Sequence, residues 1–271
     1  MGFVYSSDDI ARWDKHFSDG FTFGTGNTAV MVSAVFRTKE EVVKRVIPPT
    51  FEPFKDPIGG VYVVEYPRTN IGESSNEACV YFFVQYKGAP GRYCLTLPVT
   101  NVMSLIGGRE IYGFPKKMAE KITVEREGDK VTGVCIRKGI KIIEVKVNLT
   151  GPGEPPPPLP PWYLTKYFPH PKLGHFGWTS ESTEIFDFNP RVIKCTVEID
   201  WGKIEAGEGQ ILFGNSQDDP LHEIPVEAVL GASLYDGMEI RLLPGEVVGE
   251  IDPVKFRPYA FGIWGARKGT L

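Results

Sequence analysis

A long series of short β-like segments joined by tight turns constrains this chain more than any other feature. Runs such as GVYVVEY, ACVYFFVQY, KVTGVCIRKG and IKIIEVKVNL are rich in β-branched and aromatic residues, which favour strands. Gly128-Asp129 and Lys138-Gly139 each separate two consecutive runs by two residues, the length of a tight hairpin turn. Successive hairpins predict a mainly β fold of antiparallel strands, as a barrel or double sheet with a few short helices.

Helix signals are few and short. The segment SSDDIARWDKHF predicts a helix after a serine cap, because its apolar residues share one helical face. Thr38 and Glu41 predict a capping box for a second helix, which Pro48 ends. Weaker patterns predict short helices at 100–106 and 226–230. The helices are therefore additions to a fold built mainly from strands.

We expect a single domain over residues 1–271, in which residues 1–34 form an N-terminal extension with a short helix. The segment EPPPPLPPW within 152–162 is extended polyproline II, because proline restricts its own backbone and that of the preceding residue. We interpret it as a stiff connector that crosses the surface. The alternative is a PxxP ligand for another protein. Strand-like runs resume after it, which favours one domain.

Charge and targeting signals exclude several classes of function. The net charge is −4 and the basic residues are dispersed, so neither nucleic acid nor a membrane is an expected partner. The first residues lack the basic and apolar regions typical of a secretion signal. The four cysteines are widely spaced, which favours buried free thiols. We therefore expect a cytoplasmic protein.

Two motifs are similar to cofactor sites, but the sequence around each of them does not fit such a site. GTGNTA, at 24–29, is similar to a dinucleotide fingerprint, but a β-like run follows it where the fingerprint needs a helix. His170 and His175, in HPKLGH, have a spacing that matches no common metal site and have no acidic or cysteine partner nearby in sequence. The sequence predicts neither a metal nor an organic cofactor.

The segment GFPKK places two lysines in a strand. Phe114 precedes a proline and is therefore extended, and Pro115 suits the first position of a strand. Successive side chains of a strand point to opposite faces. We therefore expect Lys116 and Lys117 to diverge, one towards the interior and the other outwards.

A lysine that is buried without a partner tends to lose its charge. At the ordinary pKa of about 10.4, roughly one lysine amine in 2,500 is neutral at pH 7. A pKa lower by about 3.4 units makes half of the amines neutral, a gain of about three orders of magnitude. A neutral amine attacks ketones and forms a Schiff base. The lysine pair is therefore a candidate for covalent catalysis.

The pattern REIYGFPKK, in a chain so rich in strands, resembles the acetoacetate decarboxylase family. The segments FRTKEEVVKRVIPPTFE, LFGNSQDDPLHEIPVEAVLGASLY and LLPGEVV resemble further parts of that family, so the resemblance covers about 35–250. It implies the family fold and a Schiff-base enzyme that needs no cofactor. It also implies a small keto acid as substrate and a homo-oligomeric assembly.

The resemblance implies roles for the candidate catalytic residues. Lys116 corresponds to the Schiff-base nucleophile and Lys117 to the neighbouring cation. Glu77 falls where the family carries an active-site glutamate that orients the substrate or exchanges a proton.

Three further residues are candidates for substrate binding or support. Glu65, in VYVVEY, corresponds to a second family glutamate once gaps are allowed. Arg109 and Glu110 belong to the matched motif. The alternative for the last two is a structural ion pair beside the site.

The sequence departs from the family at one position. The decarboxylases carry an arginine that meets the substrate carboxylate just before the strand that leads to Arg37, and here that stretch reads GTGNTAVMV. Arg12 and Arg68 are possible substitutes. Decarboxylation of a β-keto acid such as acetoacetate is the first hypothesis. The second is aldolase-dehydratase or hydratase chemistry through the same imine, and the third is a binding module without catalysis.

Overall fold

Strands dominate the computed structural model, which describes residues 4–170 and 186–260. Within these residues the strands are β1 (Phe21–Phe23), β2 (Ala29–Arg37), β3 (Glu52–Pro53), β4 (Ile58–Tyr66), β5 (Ser75–Tyr86), β6 (Ala89–Val99), β7 (Lys116–Met118), β8 (Lys121–Glu127), β9 (Lys130–Arg137), β10 (Ile140–Pro152), β11 (Trp162–Lys166), β12 (Arg191–Cys195), β13 (Val197–Asp200), β14 (Lys203–Phe213), β15 (Ala228–Leu242) and β16 (Glu246–Glu250). The helices are α1 (Ser7–Phe17), α2 (Glu40–Val46), α3 (Val102–Gly107) and α4 (Pro253–Ala260), with a π-helical turn at Gly108–Tyr112 and a 3₁₀ turn at Leu221–Glu223.

The strands form one large mixed sheet. Its main path runs β16-β12-β11-β6-β5-β4-β2-β15-β14-β10-β9-β8, with β7 beside β6. The prediction of a mainly β fold is confirmed, but the sheet is not closed into a barrel, since β16 and β8 end the path unpaired with each other. It is not wholly antiparallel either, because β6 pairs in parallel with both β7 and β11. Each of those pairs follows a long connection, which hairpin signals do not encode.

Local turn chemistry agrees with the sequence. Gly128-Asp129 joins β8 to β9, and Lys138-Gly139 joins β9 to β10. Lys138 and Gly139 both have positive φ, 51° and 71°, as the two central residues of a type I′ turn require. These hairpins set the register of that end of the sheet.

The observed helix starts match the predicted caps only in part. Helix α1 begins after Ser6, whose hydroxyl forms a capping box with Asp9. Helix α2 begins instead after Lys39, without a side-chain cap. The expected box of Thr38 and Glu41 is absent, and the buried Thr38 hydroxyl has no hydrogen-bond partner in the part of the chain that is described.

The predicted helix at 226–230 is wrong. Strand β15 begins at Ala228, which pairs with Arg37 of β2. The short apolar pattern fits either a helix or a strand, and pairing with a distant strand decides between them. No helix of the described residues is long and apolar enough to cross a membrane.

The sheet buries side chains on both faces. On β4, Val61 and Val63 belong to the largest apolar core, whereas Val64 and Tyr66 belong to a smaller cluster on the other face. This alternation follows from the two-residue period of a strand. The smaller clusters surround the cavity that contains the candidate site.

Candidate active site

The two lysines of β7 lie on opposite faces of the strand, and both are buried. Lys116 is 4% exposed and Lys117 is 8% exposed. Lys116 pairs with Leu97 of β6, after Gly113 has ended the π-helical turn in the left-handed region, with φ of 89°. The divergence follows strand alternation, but the expectation that one lysine faces outwards is wrong. A second layer of protein covers the Lys117 face.

Lys116 is not a solitary buried amine. Its Nζ donates hydrogen bonds to Glu77 Oε1 at 2.6 Å and to Ser104 Oγ at 2.7 Å. The Ser104 hydroxyl donates in turn to the same Glu77 oxygen at 2.9 Å. The amine, the hydroxyl and the carboxylate thus form a closed triangle. The structure therefore brings two of the predicted residues together and adds a third that the sequence did not indicate.

Strands β5 and β7 and helix α3 hold this triangle. Glu77 lies on β5, between Val64 of β4 and Val99 of β6. Ser104 lies in the first turn of α3, where its backbone N–H donates to the capping oxygen of Asn101 at 2.9 Å. A central position in the sheet and a capped helix both restrict movement, so the donors and acceptors are preorganised.

Gly108 makes room for the lysine side chain. A Cβ atom at this position would lie 2.5 Å from Lys116 Cδ, closer than van der Waals contact permits. The π-helical turn that begins at Gly108 therefore packs its backbone directly on the lysine chain. This close approach explains a glycine directly before the REIYGFPKK pattern.

The geometry suits proton exchange and nucleophilic attack. Glu77 Oε1 lies within hydrogen-bond reach of the amine, as a group that accepts its proton must. Transfer of that proton leaves a neutral amine, the form that adds to a carbonyl. The rings of Phe23 and Phe114 lie 5.7 Å and 5.9 Å from Nζ, measured to their centres. The amine therefore faces a largely aromatic space.

A cavity of about 260 Å³ opens onto Lys116 and Glu77. Tyr62 and Tyr66 are among its lining residues, and burial raises the pKa of both phenols well above the ordinary range. They are therefore neutral hydrogen-bonding groups at physiological pH. Pro156, Pro157 and Leu159 also line the cavity. The proline-rich segment is thus a wall of the site and does more than connect strands across the surface.

Lys117 occupies a different environment. Its Nζ donates to Asp219 Oδ1 at 2.7 Å, and Arg137 Nε donates to the other oxygen of the same carboxylate at 2.7 Å. Burial lowers the pKa of Lys117, and the charge of Asp219 opposes that shift. Lys117 borders a second cavity of about 540 Å³, and it does not line the cavity of Lys116. Any effect of its charge on Lys116 acts across the strand.

The other predicted residues lie outside the cavity. Glu65 points away from it, since its β4 neighbours Val64 and Tyr66 belong to the cavity side, and burial raises its pKa. Arg109 is half-buried and Glu110 is exposed, both in the π-helical turn. Neither forms an ion pair with any residue in the described part of the chain.

The cavity contains an arginine that the sequence reasoning missed. Arg12 and Arg68, the expected substitutes, are exposed and do not line the cavity. Arg92 of β6 does line it and is 3% exposed. The available signal was a basic residue at the start of the strand-like run RYCLTLPV. Sequence distance from the lysine motif concealed its position.

Metal ligation finds no support among the described residues, where no group of three or more histidine, cysteine or acidic side chains is arranged to hold an ion. His170 lies at the edge of the described residues, and His175 lies outside them. The chemistry of the triangle itself needs only an amine, a carboxylate and a hydroxyl.

Comparison with known proteins identifies similar sequences and folds. The family model described as acetoacetate decarboxylase matches residues 13–249. The acetoacetate decarboxylase of Burkholderia mallei (strain NCTC 10229) is 31% identical over 99 residues, which cover 36% of this chain and 39% of the relative. That of Streptomyces nogalater is 35% identical over 89 residues, which cover 32% of this chain and 35% of the relative. The matches thus span less than half the length of these curated relatives.

Solved structures agree in fold at low sequence identity. Acetoacetate decarboxylase from Legionella pneumophila superposes with a TM-score of 0.69 at 19% identity, covering 85% of this chain and 87% of that one. An acetoacetate decarboxylase-like enzyme from Sphingomonas wittichii RW1 gives 0.66 at 18% identity, covering 84% and 92%. The enduracididine biosynthesis enzyme MppR gives 0.67 at 17% identity, covering 84% and 86%. At these identities the likeness establishes the fold alone.

Proposed function

Because the chain belongs to the acetoacetate decarboxylase family, we propose that it is a lyase that forms a Schiff base between Lys116 and a keto acid. Decarboxylation of a β-keto acid such as acetoacetate is the reaction that we favour. The observation that carries this proposal is the 2.6 Å contact between Lys116 Nζ and Glu77 in a largely aromatic cavity. It joins a nucleophile and its proton acceptor at the place where a ketone can enter.

The reaction begins with proton transfer from Lys116 to Glu77. The neutral amine attacks the ketone carbon, and the resulting carbinolamine loses water to give a protonated imine. The bond to the carboxylate carbon then breaks, and its electron pair moves into the imine to give an enamine and CO₂. Glu77 or a water molecule returns a proton to the enamine carbon, and hydrolysis releases the ketone and the lysine. The sum converts a β-keto acid anion and one proton into a ketone and CO₂.

Apolar surroundings favour the bond-breaking step. The carboxylate loses its charge as CO₂ forms, so aromatic surroundings disfavour the starting anion more than the neutral product. Phe23 and Phe114 supply such surroundings around Nζ. The proposed site therefore promotes loss of CO₂ through its apolar surroundings, whereas other sites bind the leaving carboxylate with a cation.

A second candidate is carbon–carbon bond formation through the same imine. The titles of solved MppR structures describe complexes with pyruvate and with the condensation product of pyruvate and imidazole 4-carboxaldehyde. Those ligands belong to MppR, whose fold this chain shares. The favouring observation in this chain is the aromatic cavity, which extends from Lys116 to Arg92 and gives room for a second reactant.

Intact mass after incubation with acetoacetate and borohydride distinguishes the two candidates. A reduced adduct that lacks the mass of CO₂ is the expected result for decarboxylation. An adduct that keeps the carboxylate supports the second candidate, and a panel of keto acids then identifies its substrate. Lys130→Ala, at an exposed position, is the matched control and should give the same adduct. Absence of an adduct with every keto acid contradicts both candidates.

We further propose that the chain forms a homo-oligomer and acts on a small keto acid. Sedimentation of the purified chain tests the assembly directly, and a monomer at all concentrations contradicts it. Activity does not depend on the answer unless a partner copy contributes to the site.

A further inference from the structure

The cavity of Lys116 contains an arginine that the proposed reaction does not use. Arg92 is 3% exposed, and its Nε donates to the Pro160 carbonyl at 2.9 Å. Its Nη2 is buried and has no hydrogen-bond partner among the described residues. A buried guanidinium with an unpaired donor is costly unless a further group pairs with it.

The charges that line the cavity do not balance. Glu77 is the one acidic residue among the described lining residues, and it already accepts from Lys116. The tyrosines beside Arg92 do not supply an anion, because burial raises the pKa of Tyr81 to about 12. Burial also lowers the pKa of Arg92 itself, the direction expected for a cation without a counter-ion. The cavity therefore has one positive charge to offer a ligand.

Neighbouring groups fix Arg92 in position before any ligand binds. Its backbone N–H donates to Pro161 at 2.8 Å, so the proline-rich segment holds both its main chain and its side chain. The guanidinium carbon lies 4.0 Å from the ring centre of Trp162, a cation–π contact. The rigid proline segment and the indole ring thus keep the guanidinium preorganised.

The backbones of Arg92 and Lys116 lie at well-separated positions along strand β6. On β6, Arg92 pairs with Trp162 and Leu97 pairs with Lys116, and five residues of strand span roughly 16 Å. The Phe114 ring, 5.9 Å from Nζ, lies 6.0 Å from the Trp162 ring, which contacts Arg92. Two aromatic rings therefore bridge the distance between the amine and the guanidinium.

We infer that Arg92 binds a second anionic group of the substrate, a carboxylate remote from the carbonyl that reacts with Lys116. The carboxylate of a simple β-keto acid is two bonds from that carbonyl and does not reach past the rings. The substrate class is accordingly an oxo acid in which an apolar chain or ring separates the reacting carbonyl from a terminal carboxylate. A planar guanidinium recognises such a carboxylate through paired hydrogen bonds. This inference rests on the proposed Schiff-base function.

The test uses a series of methyl ketone acids, CH₃CO(CH₂)ₙCO₂⁻, and their methyl esters. Acetoacetate is the shortest acid, and longer members have more CH₂ groups between the ketone and the carboxylate. Each is incubated with the full chain and borohydride, and the concentration for half-maximal labelling of Lys116 is measured. Arg92→Met removes the charge, Arg92→Lys keeps it without the planar fork, and Arg68→Met is the control at an exposed arginine. Thermal melting establishes that each variant is folded.

We expect the unmodified chain to favour long acids over their esters by about tenfold or more. Arg92→Met should abolish the preference for acids over esters, Arg92→Lys should keep part of it, and Arg68→Met should keep all of it. If Arg92→Met does not fold, the chain-length series and Arg92→Lys still show whether Arg92 binds the remote carboxylate. Equal labelling by acids and esters at every length overturns the inference and leaves the Schiff base intact. Absence of labelling by every ketone contradicts the proposed function itself.

Discussion

The two faces of strand β7 solve the same problem of lysine burial in different ways. On one face, Lys117 shares Asp219 with Arg137, so both carboxylate oxygens bind cations. On the other face, Lys116 shares one oxygen of Glu77 with a serine hydroxyl and opens onto an aromatic cavity. Two cations bind the Asp219 carboxylate, whereas Lys116 is the one cation that binds Glu77 among the described residues. Under the proposed function, Lys116 has the chemical role and Lys117 a structural one.

The comparison also indicates that burial alone does not identify a catalytic lysine. Both amines are almost inaccessible, and burial lowers the pKa of Lys117 in particular. What differs is the second partner of each carboxylate, which is the Arg137 guanidinium on Asp219 and the Ser104 hydroxyl on Glu77.

Replacement of Lys116 should have the largest effect. Lys116→Met removes the nucleophile, and we expect turnover to fall by at least about a thousandfold. The loss of Lys116 also leaves Glu77 buried with only Ser104 as partner, so a Lys116→Met/Glu77→Gln double variant separates activity from folding. Steady-state kinetics and thermal melting provide the two readouts. Activity within tenfold of the unmodified chain contradicts the assignment of Lys116.

Replacement of Asp219 should reduce stability. Asp219→Asn leaves Lys117 and Arg137 without their carboxylate, and removal of one partner from a buried ion pair costs about 3–5 kcal/mol of the free energy of unfolding. Urea denaturation measures this loss, with the exposed Asp14→Asn as control. Imine trapping per folded molecule should change by less than tenfold. A stable but inactive variant would place the chemistry on the Lys117 face.

Replacement of Glu77 should slow imine formation. In Glu77→Gln the amide oxygen still accepts a hydrogen bond from Lys116 but cannot store its proton, so trapping should slow by about a hundredfold. Ser104→Ala, which removes one hydrogen bond and no proton acceptor, should slow trapping by about tenfold. Quenched-flow labelling with borohydride measures both rates. Equal rates for Glu77→Gln and the unmodified chain would exclude Glu77 as the proton acceptor.

Replacement of Lys117 should have the smallest effect on imine trapping at Lys116. Lys117→Gln removes a charge that points away from the cavity, and the pH midpoint of trapping should move by less than about one unit. The midpoint comes from initial trapping rates between neutral and alkaline pH. A shift of about three units would show that the charge of Lys117 controls imine formation at Lys116.

Local sequence patterns predicted those parts of the molecule that depend on near neighbours. The hairpin turns at Gly128-Asp129 and Lys138-Gly139 and the cap at Ser6 are contained in a few consecutive residues, and they are confirmed. The divergence of Lys116 and Lys117 likewise follows from the geometry of any strand. The prediction at 226–230 was wrong because pairing with β2 outweighs a short helical pattern.

The parts that the sequence did not reveal depend on residues far apart in the chain. Asp219 lies about a hundred positions from Lys117 in the sequence, and no local pattern shows that the two side chains pair. Arg92 reaches the cavity only because β6 lies beside both β7 and β11. The family motif identified the lysine, but open-sheet topology alone determined which distant charges surround it.

The most direct test of the account is the position of the reduced imine within the lysine pair. The chain is incubated with acetoacetate and borohydride, a peptide that contains both lysines is isolated, and fragmentation between Lys116 and Lys117 localises the added mass. The account predicts that the adduct lies on Lys116 and that Lys117 carries none. An adduct on Lys117 would contradict the account, because it would place the reactive amine among Asp219 and Arg137, on the face assigned here to stability.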